Sequence, residues 1–319
     1  MLLLVDGRHL AAMKRLSPDE DAAHRVLEIT RAWIKEAVTE LRKSTLDDEV
    51  VHSARKALKK ARAGLRMLRP GLRDAEYRNA NAALRDASRP LGELRDAKVL
   101  QDTLTDLMRR RRSRRRNGLN VARVSSLLKE HRRRVRRQIL HDKRALAHSR
   151  HLLRVTLSRT KKWRLRKTNW KLLGPALEHA YRKARKARAD AWTIGTPEAL
   201  HEWRKQVKYL RYALEIAEPL WPAMLGVLAK QAHELSDELG DSHDLTALCE
   251  MTVAHPDAFA NSSELDALLA LSEHRQQELT GEANLLGARL LGERPPAFGA
   301  RLEGYWRNWH QGAGLVHAH

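Results

Sequence analysis

The stretch VHSARKALKKARAGLRMLRP, residues 51–70, carries two helical seams of opposite character. His52, Arg55, Lys59, Arg62, Arg66 and Arg69 fall at offsets 0, 3, 7, 10, 14 and 17. That is the a/d spacing a helix normally fills with Leu and Ile where it meets a partner. A neighbouring seam holds Ala54, Leu58, Ala61, Leu65 and Leu68. One face is therefore suited to a core, and another is lined with positive charge. A charge run usually lies on a solvated face. Here cations of one sign crowd at i, i+3 and i+4, which destabilises an isolated helix, and no acidic residue stands between 52 and 72 to relieve them. The pattern points to an anion as the missing partner.

The whole chain leans the same way. Its 319 residues include 61 Lys plus Arg against 39 Asp plus Glu, a formal net charge of +22. A surplus of that size concerns partners, not fold, and selects polyanions: nucleic acid, an acidic surface or phosphate chains. Mean hydropathy is -0.59, and no run approaches the ~20 apolar residues of a membrane span. The opening MLLLVDG lacks a basic leading region and a small-residue cleavage site, so no signal peptide is expected. A single cysteine, Cys249, excludes an internal disulfide and fits a reducing cytoplasm.

Ala, Leu, Arg, Lys and Glu dominate, and strand signals are nearly absent, which predicts an all-α chain. The patterning predicts helices over 18–43, 48–69, 71–90, 95–112, 121–155, 170–190, 197–218, 222–239, 243–254, 262–288 and 296–310. Asp47 is the expected N-cap of the helix holding the opening stretch. Thr196 is the expected cap of the 197–218 helix, with Pro197 at its first position, and Ser17 with Pro18 does the same for the first helix.

The opening stretch has a counterpart. VHSARKALKKARAGL at 51–65 returns as LHEWRKQVKYLRYAL at 200–214, pairing His52 with His201, Arg55 with Arg204, Lys56 with Lys205, Lys59 with Lys208 and Arg62 with Arg211. LGELRDAKVL at 91–100 returns as LGDSHDLTAL at 239–248, pairing Gly92 with Gly240 and Asp96 with Asp244. KEHRRR at 129–134 answers SEHRQQ at 272–277 more weakly. Markers in one order at nearly one offset predict a duplicated unit of four or five helices. The expected division is an extension over 1–17, a first bundle over 18–158, a basic linker over 159–169, a second bundle over 170–311 and a tail over 312–319. The closing HQGAGLVHAH, from 310, is expected to be disordered.

These motifs, with YRKARKAR at 181–188, resemble the conserved-histidine α-helical domain, the CHAD family. The resemblance runs from about residue 18 to 311. It implies two helical bundles related by a pseudo-twofold axis, a basic central channel that binds inorganic polyphosphate, and no catalytic activity or cofactor. Some members of the family carry a triphosphate-processing domain; with about twenty residues ahead of the match, none is expected here. Carried over residue by residue, the channel would draw on His52, Arg55, Lys56, Lys59, Arg62, Arg66, Arg69 and Arg95. From the 181–188 helix and the second unit it would draw on Arg182, Arg185, His201, Arg204, Lys205, Lys208, Arg211 and His243. The copies differ: Glu215 stands where the first has Arg66, and His243 where it has Arg95. The halves are not expected to contribute equally. The implied setting is cytoplasmic, possible association with polyphosphate granules included.

Other chemistries find less support. A lone helical histidine such as His52 is more often a hydrogen-bonded structural residue, and Arg204 and Lys205 would repel a cation from His201, so metal ligation is not expected. Asp96 and Asp244 could suggest acid–base work; capping a helix, or orienting a nearby Arg or His, suits them better. Walker-type loops, HExxH and nucleophile motifs are absent, which disfavours a metal-dependent phosphohydrolase. The runs RRRRSRRRNG at 109–118 and HRRRVRR at 131–137 read as exposed charge able to attract any polyanion. Nucleic acid suits the net charge equally, but aromatic residues make up only 5% of the chain, and single-strand binders normally stack bases on aromatic rings.

Overall fold

The computed structural model describes residues 15–43, 45–113, 119–141 and 143–316. Among them are ten α-helices and no strand: α1 (Ala22–Glu40), α2 (Asp48–Leu68), α3 (Asp74–Ser113), α4 (Ala122–His141), α5 (Lys143–Thr160), α6 (Asn169–Ile194), α7 (Pro197–Ala217), α8 (Pro222–Val253), α9 (Ser262–Leu290) and α10 (Pro295–Val316). The all-α expectation holds. α2 and α7 each have 21 residues, and each runs into a short 3-10 turn with Pro at its second position, Arg69–Gly71 and Glu218–Leu220.

The caps follow ordinary rules at two of the three expected places. Asp47 accepts from the Val50 N–H at 2.8 Å, and Thr196 accepts from the Ala199 N–H at 3.3 Å with Pro197 behind it. At α1 the cap is Asp21, which accepts from the His24 N–H at 2.8 Å, and not Ser17. The reason lies across the molecule. Asp21 also accepts from the Asn169 N–H at 3.1 Å, while Asn169 Oδ1 accepts from the Ala22 N–H at 3.0 Å. The starts of α1 and α6 thus cap each other, and Asn169 takes a left-handed φ of 46° to do so, a conformation Asn tolerates.

Four expected boundaries move. The 71–90 and 95–112 helices are one, α3, which passes through Pro90. An internal proline costs ~3 kcal/mol; burial of Leu84, Ala87, Leu91 and Leu94 on both sides of it holds the helix continuous. The break expected at 240–242 is likewise absent, because Gly240 serves close packing inside α8 and not a turn. The long 121–155 helix is two, α4 and α5. At the end of the chain α10 runs on through 310–316, which corrects the reading of those residues as disordered; 317–319 lie outside the described residues.

The apolar seam of the opening stretch is the core contact. Ala54, Leu58, Ala61, Leu65 and Leu68 are each at most 1% exposed. They belong to a large cluster that also draws in Trp33 and Leu84 from the first half and Tyr181, Leu210 and Phe298 from the second. A smaller cluster joins Leu104 and Leu128 to Leu248 and Leu268. Both cores therefore span the two halves of the sequence, and α2 packs on α1 and α3 but also on α6 and α7. That sharing places the basic seam of α2 beside that of α7.

At the α1–α2 crossing, a Cβ added to Gly64 would meet Thr30 Oγ1 at 2.3 Å, and that hydroxyl already donates to Val26 O at 2.7 Å. Helix propensity alone favours Ala over Gly by ~1 kcal/mol, and overpacking costs ~1–3 kcal/mol. Gly64→Ala is expected to lower the melting temperature, and Thr30→Ala added to it to restore what was lost. A Gly64→Ala chain that melts at or above wild type would show that the contact yields at no cost.

Candidate anion-binding site

A cleft of about 500 Å³ opens between α2 and α7, with α3 and α8 completing its walls. From α2 come His52, Arg55, Lys56 and Lys59; from α7, His201, Arg204, Lys208 and Arg211. Arg95 with Asp96 on α3 faces His243 with Asp244 on α8. A recess of about 210 Å³ shares Arg55, Lys59, His201, Arg204, Lys208 and Tyr212 with the cleft and adds Arg62, Lys205 and Tyr209. Twelve of the sixteen residues singled out from sequence are thus brought together. The other four are not. Arg66 and Arg69 line a separate pocket. Arg182 pairs with Glu178 on its own helix, and Arg185 donates to the Glu293 carbonyl at 3.2 Å, tying α6 to the approach to α10.

Charge in the cleft is one-sided. Seven Lys and Arg side chains line it against three carboxylates, Asp96, Asp237 and Asp244, which leaves a surplus that favours an anion. The carboxylates sit mid-helix in α3 and α8 and not at helix starts, which corrects the capping reading; the orienting role fits instead. Asp96 Oδ1 lies 3.5 Å from Arg55 Nη2. The repeated Leu-Gly motif completes this support. A Cβ on Gly92 would stand 3.0 Å from Arg55 Nη1, and one on Gly240 would stand 2.9 Å from Arg204 Nη2. Each glycine clears the floor on which an arginine lies, a role the sequence marked by its repetition but did not explain. Arg204 Nε is buried with no hydrogen-bond partner, a donor whose desolvation an acceptor oxygen would offset.

Crowding changes the titration of these groups. Burial, then Arg204 and Lys59, push Lys208 down to about 6, against an ordinary value of 10.5. Burial, then Arg55 and Arg204, bring Lys59 to about 8; its side chain still touches the water of the cleft, which screens part of that repulsion. Burial and neighbouring cations hold His52, His201 and His243 below the usual imidazole range. The His201 and His243 rings lie 4.4 Å apart. At neutral pH these imidazoles are donors of a single N–H and not added charges.

Outside the cleft, the remaining basic runs have local work. Arg132 donates to Gln101 at 3.0 Å and Arg136 to the Leu46 carbonyl at 2.8 Å, fastening α4 near the start of α2. Arg133 and Arg137 are exposed beside Glu130. Of the run at 109–118, residues 114–118 lie outside the described residues, and Arg109 is exposed beside Asp106.

An all-α fold with paired histidine-bearing helices facing one cationic cleft defines the class, and the comparisons agree with it. The model of the CHAD domain matches residues 23–252, and the chain belongs to that family. Among solved structures, PptA from Streptomyces chartreusis superimposes with a TM-score of 0.64 at 16% identity, covering 86% of this chain and 100% of that one. No curated protein matches the sequence.

Between about pH 6 and 10.5 the unfolded chain binds more protons at residue 208 than the folded one, so this residue makes stability rise with pH. Its penalty is complete below about 6 and absent above 10.5. Lys208→Met is therefore expected to melt above wild type at pH 6 without ligand, and the advantage to shrink by pH 10. Thermal melts of both chains at both pH values decide it; an advantage that does not vary with pH would rule out Lys208 as the titrating group.

Proposed function

We propose that the chain binds inorganic polyphosphate in this cleft and acts by binding alone. The observation that carries the reading is the convergence of Arg55, Lys59, Arg204 and Lys208 from two separate helices on one enclosed space. Membership in the CHAD family fits the same ligand. Polyphosphate presents a continuous row of anionic oxygens and no bases. Donors advancing ~5 Å per helical turn can follow such a row, with arginine forks taking two oxygens and lysines acting as mobile point charges.

A pseudo-twofold relation between the halves supports a channel lined from both sides. Under the offset of 149 that pairs His52 with His201, Arg66 corresponds to Glu215 and Lys60 to Tyr209. Arg66 stacks on the Tyr209 ring at 3.9 Å, and Lys60 meets Glu215 at 2.9 Å. The two contacts exchange under that offset, which supports an axis between α2 and α7.

Nucleic acid fits less well for a specific reason. Tyr209 and Tyr212, the aromatic residues of the recess, already carry cations against their rings: Arg66 at 3.9 Å, Arg211 at 5.2 Å and Lys60 at 5.8 Å. They are not free platforms for bases.

The test sets enclosed charges against exposed ones. Lys59, Arg62, Lys208 and Arg211 replaced by Ala remove four basic side chains from the cleft and its recess; Arg89, Arg109, Arg133 and Arg137 replaced by Ala remove four from exposed surface. Affinity for long-chain polyphosphate should fall at least ~100-fold in the first set, at ~1 kcal/mol or more per enclosed contact. It should fall ~10-fold or less in the second, mainly through slower association. Wild-type binding should weaken steeply with salt and should be displaced poorly by DNA. Equal losses in the two sets would reduce the reading to generic polyanion attraction, and phosphate release with Mg²⁺ would overturn binding without catalysis.

A further inference from the structure

Four of the cations read from the sequence as one surface are divided by the fold, and two of them border a pocket of their own. Arg66 and Arg69, from the end of α2, meet His179 and Lys183 of α6 and Tyr209 of α7 around a space of about 210 Å³. That is below the ~300–1,000 Å³ of drug-sized ligand sites. Among the described residues, no acidic one lines it. Tyr209 is its shared wall with the recess of the main cleft.

The arginines are prepared for a ligand. Arg66 lies over the Tyr209 ring at 3.9 Å and Arg69 over the Tyr77 ring at 4.9 Å. Stacking of this kind fixes a guanidinium by its face and leaves its in-plane N–H groups free to donate. Arg66 Nε is buried and has no hydrogen-bond partner among the described residues. Opposite them, Lys183, Arg182, Arg69 and Arg66 all lie near enough to His179 to disfavour its protonation, after burial. Four positive charges converge on one imidazole; of these only Arg182 has a carboxylate partner among the described contacts, Glu178.

The ground related by the offset of 149 shows what this pocket would look like without that role. There Arg66 and Arg69 are replaced by Glu215 and Glu218. Glu215 is held between Lys60 at 2.9 Å and Arg211 at 2.8 Å, so charge on that side is balanced internally. On the Arg66 side it is not.

We propose that the pocket between α2, α6 and α7 is a second anion site, taking a compact phosphate group of one or two phosphoryl units. The group can be a free anion or the terminal unit of a longer chain; both present the same tetrahedral oxygens. The site does not require the main cleft to bind polyphosphate.

Pyrophosphate titrated into the full chain by calorimetry, in phosphate-free buffer, tests this. Arg69 and Lys183 are exposed, so Arg69→Ala with Lys183→Ala leaves the core untouched. Pyrophosphate affinity should fall at least about tenfold in this variant, against about threefold or less in Lys59→Ala with Lys208→Ala, the difference corresponding to the loss of charge-assisted contacts. Saturating wild type with long-chain polyphosphate first separates the sources. Continued pyrophosphate binding assigns the pocket to free anions, and blocked binding assigns it to chain ends. Unchanged pyrophosphate affinity in the Arg69/Lys183 variant, loss confined to the Lys59/Lys208 variant, or no pyrophosphate binding at all would overturn the pocket. Wild type that binds pyrophosphate through Arg69 yet fails to bind long polyphosphate would strike the main cleft alone and leave this site standing.

Discussion

The structure depends on holding like charges together. Arg55, Lys59, Arg204 and Lys208 would separate if each helix stood alone, and nothing in the cleft neutralises them fully. They stay because the opposite faces of α2 and α7 are committed to cores that run through both halves of the chain. Burying a Leu side chain contributes ~1.5–3 kcal/mol, and Leu58, Leu65, Leu68, Leu210 and Leu214 are each at most 1% exposed. A unit-charge repulsion at ~4 Å costs ~1 kcal/mol in water and ~4 kcal/mol at an effective dielectric of 20. The hydrophobic seam is of the right size to outweigh the basic one, and the depressed lysines are the residue of that contest.

The cleft is also stiffened with few acids. Full neutralisation would need a carboxylate for each cation and would leave no field for a ligand. Instead Asp96 holds Arg55 by one edge, while Gly92 and Gly240 let Arg55 and Arg204 lie against α3 and α8. Close packing of the guanidinium onto a bare helix backbone fixes position without cancelling charge. The arrangement spends ligand-free stability on readiness, since donors already in place lose less entropy when an anion arrives.

How much of this was legible follows from what each residue's environment depends on. The two seams of α2 and the bounds of α7 were readable because local periodicity and caps decide them. The continuity of α3 through Pro90 and of α8 through Gly240 was not, because contacts from other helices override local breaking signals. The His52, Arg55 and Lys59 positions reach the cleft as the spacing implied, whereas Arg66 and Arg69, on the same seam, do not. An a/d stripe drifts ~20° per heptad on a straight helix, so two heptads turn its end ~40° away from where it began. Arg182 and Arg185 failed to join for different reasons: Glu178, one turn back on the same helix, claims Arg182, and the Glu293 carbonyl claims Arg185, a partner 108 residues away that no linear pattern announces.

The halves agree where the cleft needs them and part where it does not. His52 and His201, Arg55 and Arg204, Lys59 and Lys208 keep their chemistry across the offset and meet in one space. Beyond the ends of that space the pairs diverge, Arg66 against Glu215 and Arg69 against Glu218. At Glu215 the second half closes its seam with an internal carboxylate that engages both Lys60 and Arg211. An anion entering between α2 and α7 would therefore meet a negative charge at one end of the paired seams and a cationic pocket at the other. The two facing helices thereby acquire a direction, set by two residues at each end and not by any change in fold.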